Sequence, residues 1–205
     1  MNKITPGTLV QKIKALAAGQ DRILIAIAGP PGSGKSTLAE GLAQLLGPTA
    51  AVMPMDGFHL DNNVLHEMNL FHRKGAPETF DANSFVALIQ RLRQEHEVPY
   101  PTFDRTADKT VPNGGRIEDS TRIVLIEGNY LLLNSAPWSA LADLFDMTVR
   151  LVVDHDALAA RLIARWIEHG LPPEQARDRA LGNDMVNVRY VDEHSFDPDY
   201  EIHSN

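Results

Sequence analysis

Gly29, Gly34, Lys35 and Ser36, in the stretch "GPPGSGKST", fit the spacing G-x-x-x-x-G-K-S/T. Glycines at those places let the backbone turn several N–H groups inward around a phosphate. A helix starting just after them adds its positive N-terminal end. Lys35 then reaches the β- and γ-phosphates of a nucleotide, and the Ser36 hydroxyl is placed to ligate magnesium. Gly29, Pro30, Pro31, Gly32, Ser33, Gly34, Lys35, Ser36 and Thr37 are therefore the expected triphosphate cradle, with ATP and Mg2+ implied. Three further groups carry chemistry. Glu127, in "RIVLIEGNY", is a second acidic candidate for the magnesium site, or a simple strand-end cap. Asp56, in "MPMDGFHLD", could take a proton from an attacking hydroxyl, although "DG" is also a common turn dipeptide. Arg161 and Arg165 are four apart and share one helix face. There they could stabilise charge on a transferring phosphoryl group.

These residues need elements to hold them. "RILIAIA" predicts a buried strand ending at Ala28. Residues 35 to 46 predict a helix, and "AAVMPM" predicts a strand stopping at Asp56. Phe85, Leu88, Ile89 and Leu92 fall at helical spacing, capped by Asp81 or Asn83. "RIVLI" predicts a strand ending at Glu127, and "MTVRLVV" one ending at Asp154. A helix over 156–169 stops at Gly170, and Pro172 and Pro173 begin another. Leu9, Ile13 and Leu16 predict an N-terminal helix stopped by Gly19, and "YEIH" predicts a last short strand. Alternating strands and helices imply an α/β fold: a parallel β-sheet with helices on both faces. Ligands bind such sheets beyond the carboxyl ends of their strands. The Gly29 loop, Asp56, Glu127 and Asp154 all fall at predicted strand ends.

Bulk properties set limits. The 205 residues are 43% hydrophobic, enough for a core and consistent with one domain over 1–205. The net charge of −8 argues against general binding of nucleic acid or of an anionic membrane. No cysteine is present, so neither disulfides nor thiolate metal sites arise. No stretch approaches the roughly 18 apolar residues of a membrane span. The expectation is a soluble, cytoplasmic chain whose partner is a small molecule with a hydroxyl. A homodimer is compatible with it.

Residues 55 to 81, with "DGF", "NNVL" and "HRKGAPETFD", resemble type I pantothenate kinases. Uridine kinases and phosphoribulokinases share the wider architecture. The resemblance extends over most of the chain and is specific at Gly29 to Thr37, at Asp56 to Asp81 and at "IEGNYLLL". It implies a P-loop NTPase fold with a helical lid. It also implies an ATP-dependent kinase in which Asp56 is the general base and Glu127 lies near magnesium. "LAARLIARWIEHG" looks like the lid helix of that superfamily, placing a lid at about 156–190 with Arg161 and Arg165 over the phosphates. Arg177 and Arg179 are weaker candidates.

"YPTFDRTADKTVP", residues 100 to 112, departs from the pattern. Pantothenate kinases carry a histidine where Arg105 stands here, and the tyrosine–histidine pattern of uridine kinases is missing. Short bacterial relatives with "PTFDR" are described as fructose or nucleoside kinases. Asp104 and Arg105 could bind sugar hydroxyls or an acidic group, or form a local ion pair. His59, Tyr100, Phe103 and Tyr130 could stack on a base or simply pack. The expected acceptor contacts are Asp56, His59, Asp104, Arg105 and Tyr130. The acceptor order is sugar, nucleoside, then a pantothenate-like molecule. The rival expectation is a nucleotide-gated regulatory or assembly protein.

Overall fold

The computed structural model describes residues 2–204. The chain runs β1 (Asn2–Lys3), α1 (Pro6–Ala17), β2 (Ile23–Ala28), α2 (Lys35–Leu46), β3 (Ala50–Pro54), α3 (Asn62–Glu67) and α4 (Ala82–Leu92). It continues through β4 (Val98–Asp104), β5 (Lys109–Ile117), β6 (Ile123–Gly128) and β7 (Met147–Val153). It ends with α5 (His155–Glu168), α6 (Pro173–Arg179), α7 (Met185–His194) and β8 (Tyr200–Ser204). Six strands pair in the order β1-β8-β7-β2-β6-β3, every pair parallel. β4 and β5 form a separate antiparallel hairpin.

The strand sequences explain the two layers. β2 is apolar at every position and buried throughout, as a strand covered on both sides must be. Its odd and even residues face opposite ways. Ile23, Ile25 and Ile27 pack with Leu9 and Ile13 of α1 and with Ala39 and Leu42 of α2. Leu24, Ala26 and Ala28 pack with Phe85 and Ile89 of α4 and with Tyr130 and Trp138. Leu158 and Leu162 of α5 make a third cluster with Ala180, Met185 and Val188. This C-terminal helical layer lies against the P-loop.

Helix ends follow capping chemistry. The Asp81 carboxylate accepts from the Ser84 N–H, so Asp81 rather than Asn83 caps α4. Asp154 accepts from the N–H groups of Asp156 and Ala157. Its carboxylate is thus spent on the start of α5. Gly170 has φ +89, the left-handed stop expected after α5.

Four features depart from the sequence reading. β3 ends at Pro54, and Met55–Phe58 form a 3-10 turn. β6 runs one residue beyond Glu127, to Gly128. A π-helical turn at Ala180–Asp184 links α6 to α7. The β4–β5 hairpin has no counterpart among the elements predicted from the sequence. Its two prolines in "VPYPTFD" and glycines in "NGG" disguise the strands, since both residue types are poor strand formers.

Candidate active site

The P-loop leaves β2 at Ala28 and enters α2 at Lys35. Gly34 is the N-cap of α2 with φ +90, and it makes no side-chain cap. The first N–H groups of α2 are thus left for a ligand. Gly32 has φ +77, and a Cβ there would stand 3.2 Å from Leu162 of α5. The loop is therefore both left-handed and overlaid by the C-terminal helices at this point. Pro30, Pro31 and Ser33 are buried, while Thr37 is exposed at the helix start. The Ser33 Oγ is buried without a hydrogen-bond partner among the described residues. Arg161 donates from Nη1 to the Gly32 carbonyl at 3.5 Å.

Glu127 stands at the end of β6, in register with Ile27 of β2 and Pro54 of β3. It is 4% exposed. Burial pushes its carboxyl above the usual carboxylate range, and nearby Asp56 adds to this. The Lys35 cation and hydrogen bonding from Ser36 act in the opposite direction. A buried acid beside a serine hydroxyl offers oxygen donors of the kind magnesium takes in a P-loop enzyme. Ser36 and Glu127 are the residues that would hold the ion.

Asp56 lies in the 3-10 turn after β3. The adjacent Gly57 explains how the hairpin reaches it. A Cβ on Gly57 would fall 1.8 Å from the Pro101 carbonyl oxygen, so β4 crosses directly over the turn. Only glycine permits that approach. The "DG" pair thus serves hairpin docking as much as turning. The hairpin carries Arg105 to Asp56, and its Nη2 donates to Oδ2 at 2.6 Å.

One cleft collects these groups. Pro31, Gly32 and Lys35 form one wall, Asp56, His59, Phe103 and Arg105 another, and Arg165, Trp166 and Arg179 close the third side. His59 is sandwiched between Phe80 at 4.0 Å and Phe103 at 4.7 Å. Its Nδ1 is 2.8 Å from the Asp56 carbonyl. Burial pushes its pKa below the ordinary histidine value, against the pull of Asp56. The ring is neutral at pH 7, with Nδ1–H donating to that carbonyl.

Two expected acceptor contacts lie elsewhere. Tyr130 is fully buried, and its hydroxyl donates to the Gly75 carbonyl. It packs edge-on to Phe80 at 5.5 Å and braces the loop before α4 from below. A side chain closed into the core is not open to an acceptor. The Asp104 carboxylate accepts from the N–H groups of Thr106 and Ala107, both at 2.9 Å. It caps the hairpin turn, so the Asp104–Arg105 pair is split. Tyr100 is also buried, with its hydroxyl on the Val52 carbonyl.

The structure adds residues the sequence reading missed. Lys74 lines the cleft, 5.2 Å above the Phe103 ring. Asn129 and Asp108 line it too. Trp166 donates from Nε1 to Asp184 at 2.6 Å. Burial raises the Asp184 carboxyl, opposed by that bond and by Arg179 and Arg165. Arg179 donates to the carbonyls of His72 and Lys74, binding the C-terminal layer to the 71–79 loop. Lys74 sits inside "HRKG" and Trp166 directly follows Arg165, so both neighbourhoods were marked. Nothing in the local pattern separates them from ordinary surface residues.

A P-loop at the end of a parallel strand, an aspartate across the cleft and a helical layer above it define a P-loop kinase. Residues 24–171 match the Phosphoribulokinase / Uridine kinase family, and the chain belongs to that family. The chain is 36% identical over 207 residues to the "putative uridine kinase" of Schizosaccharomyces pombe, covering 93% of this chain and 87% of that one. It is 41% identical to a Silicibacter sp. TM1040 protein whose crystal structure is described as a "putative fructose transport system kinase". That match has a TM-score of 0.92 and covers 97% of this chain and 98% of the other. The fold is also that of the Saccharomyces cerevisiae protein YFH7, with a TM-score of 0.85 at 20% identity over 98% of this chain and 99% of that one. No helix among the described residues is long and apolar enough to cross a membrane.

Proposed function

We propose that this kinase transfers the γ-phosphate of ATP to a hydroxyl of a small metabolite, with a fructose-like sugar ranked ahead of a nucleoside. One observation carries the reading: Lys35 of the P-loop and Asp56 line the same cleft. The likeness to the Silicibacter protein supports a sugar, and that to the yeast protein keeps a nucleoside second.

Each residue then has a task. The backbone of Gly29 to Thr37 and the start of α2 cradle the triphosphate. Lys35 neutralises charge on the β- and γ-phosphates. Asp56 accepts the proton as the acceptor oxygen bonds to the γ-phosphorus and the bond to the bridging oxygen of ADP breaks. Arg161 and Arg165 stabilise charge on the transferring group from the lid. Ser36 and Glu127 would hold magnesium, which when bound would offset the negative charge of the phosphates. His59 and Phe103 form an apolar wall beside the acceptor.

The test is a coupled ADP-release assay with purified protein, ATP and magnesium. Fructose, ribose, uridine, cytidine and pantothenate are offered separately. Acceptor-dependent release is expected, highest for a sugar and low for pantothenate. Slow release that no acceptor accelerates would instead identify a nucleotide-gated switch.

A further inference from the structure

The acceptor wall of the cleft carries two cations, each paired with a carboxylate. Arg105 holds Asp56. The Lys74 ammonium is 2.7 Å from Asp108 Oδ1 and 2.6 Å from Asn62 Oδ1. The partners within each pair are unequally fixed. Lys74 has a side chain only 13% exposed, lies over Phe103, and has its carbonyl held by Arg179 and Asn183. Asp108 sits at the hairpin tip, with its side chain 52% exposed and φ +49, a conformation unfavourable for a residue with a Cβ. Burial works against its ionisation, but hydrogen bonds from Lys74 and Asn62 hold its carboxyl below the usual range. A largely covered cation whose counter-anion stands at the exposed hairpin tip is a pair that an incoming anion can divide.

Arg105 offers the complementary half. Its side chain is 58% exposed, and Nη2 bonded to Asp56 is the one guanidinium contact described. Its planar fork suits a carboxylate or phosphate, which it can bind through two parallel N–H groups. Both cations stand in a chain of net charge −8, where bulk electrostatics would not draw an anion.

We infer that the acceptor is a polyhydroxylated anion, its carboxylate or phosphate taken by Lys74 and Arg105 while a hydroxyl lies at Asp56. The inference rests on the phosphoryl-transfer reading above and revises its acceptor from a neutral sugar to the corresponding sugar acid or sugar phosphate. It also links recognition to chemistry. An anion that draws Arg105 away leaves Asp56 Oδ2 open to the hydroxyl proton, and Asp108 gives up Lys74 to the same anion. A neutral sugar has no charge with which to part either pair and should be the weaker acceptor of the two.

Matched probes test it by calorimetric binding to the full chain, with a non-hydrolysable ATP analogue and magnesium present. Gluconate is compared with glucitol, and fructose 1-phosphate with fructose. At least one anion should bind about tenfold or more tighter than its neutral twin, as charge-assisted hydrogen bonds exceed neutral ones. The carboxylate and phosphate arms tell the two sources apart. Arg105→Gln and Lys74→Met should each cost the anion roughly ten- to a hundredfold in affinity, with little effect on the neutral twin. Arg105→Gln lies on an exposed hairpin and carries the test alone if Lys74→Met disturbs its loop. Asp108→Asn should tighten anion binding, because it removes the competing charge. Neutral probes binding as well as both anions would overturn the inference. So would absent anion binding, or anion affinity that survives Arg105→Gln. Turnover is a separate readout: an anion bound through Lys74 and Arg105 that never accelerates ADP release would overturn its role as acceptor and leave the anion site standing.

Discussion

The P-loop spans nine consecutive residues, Gly29 to Thr37, whereas the facing wall joins Asp56 to Arg105 across 49 positions of sequence. Local backbone rules suffice for the first: a strand ends, glycines turn, and a helix begins. The second exists because a hairpin crosses over Gly57, and because helices from the far end of the chain reach back to Lys74. The contiguous wall can serve any nucleotide kinase. The assembled wall can change its substrate by moving a loop or replacing a side chain, with the P-loop untouched. Phosphate binding is thus concentrated on one side, and the candidate base and acceptor contacts on the other.

Substitutions can break that contrast, beginning with the largest effect. Lys35→Ala should reduce transfer below detection, with an unchanged circular dichroism spectrum. The lysine lies in the cleft and its loss leaves the core intact. Full activity in this variant would remove the P-loop from the mechanism. Asp56→Asn should lower kcat by roughly 10²- to 10⁴-fold while ATP binding persists. Weakened ATP binding with normal kcat would shift Asp56 to the nucleotide side.

Arg165→Ala should lower kcat by about 10- to 100-fold, more than it raises KM for the acceptor, if it acts on the transferring phosphoryl group as proposed. Arg161→Ala should act the same way but less, since Arg161 is anchored at the Gly32 carbonyl. Steady-state kinetics in both substrates separate the effects. Loss of folding in either variant would make α5 a core element rather than a lid.

The smallest effect concerns stability. A carboxyl with a raised pKa in the folded state lowers stability once it ionises. For Glu127 that cost is absent below the unfolded value of about 4.3 and complete above the raised folded value. Glu127→Gln should therefore raise Tm at pH 7, by about 2–4 °C for each kcal/mol recovered. The gain should vanish as pH falls toward the unfolded value, and magnesium dependence should weaken. A lower Tm at pH 7 would show that the Lys35 and Ser36 contacts outweigh the burial cost.

Legibility differed between the two walls for the same reason. Asp56, Glu127 and the P-loop sit at strand ends, and strand ends can be read from apolar runs. Arg105 was visible as a departure in "PTFDR", but its partner was sought next door at Asp104. The hairpin turn claims Asp104 through two N–H groups, leaving Arg105 to span the cleft. Tyr130 stands among the expected acceptor contacts because an aromatic there could stack on a base. Burial against Phe80 and Trp138 places it in the core instead.

By itself the sequence determined the parallel α/β order, the phosphate loop and the candidate base, since each depends on residues adjacent in the chain or on a short periodic pattern. Only the tertiary structure decided which charges meet: Arg105 with Asp56, Lys74 with Asp108, and Arg179 with the carbonyls of the 71–79 loop. A charged side chain can pair with many partners of opposite sign. The choice among them falls to backbone crossings such as β4 over Gly57, which are contacts between segments far apart in the chain.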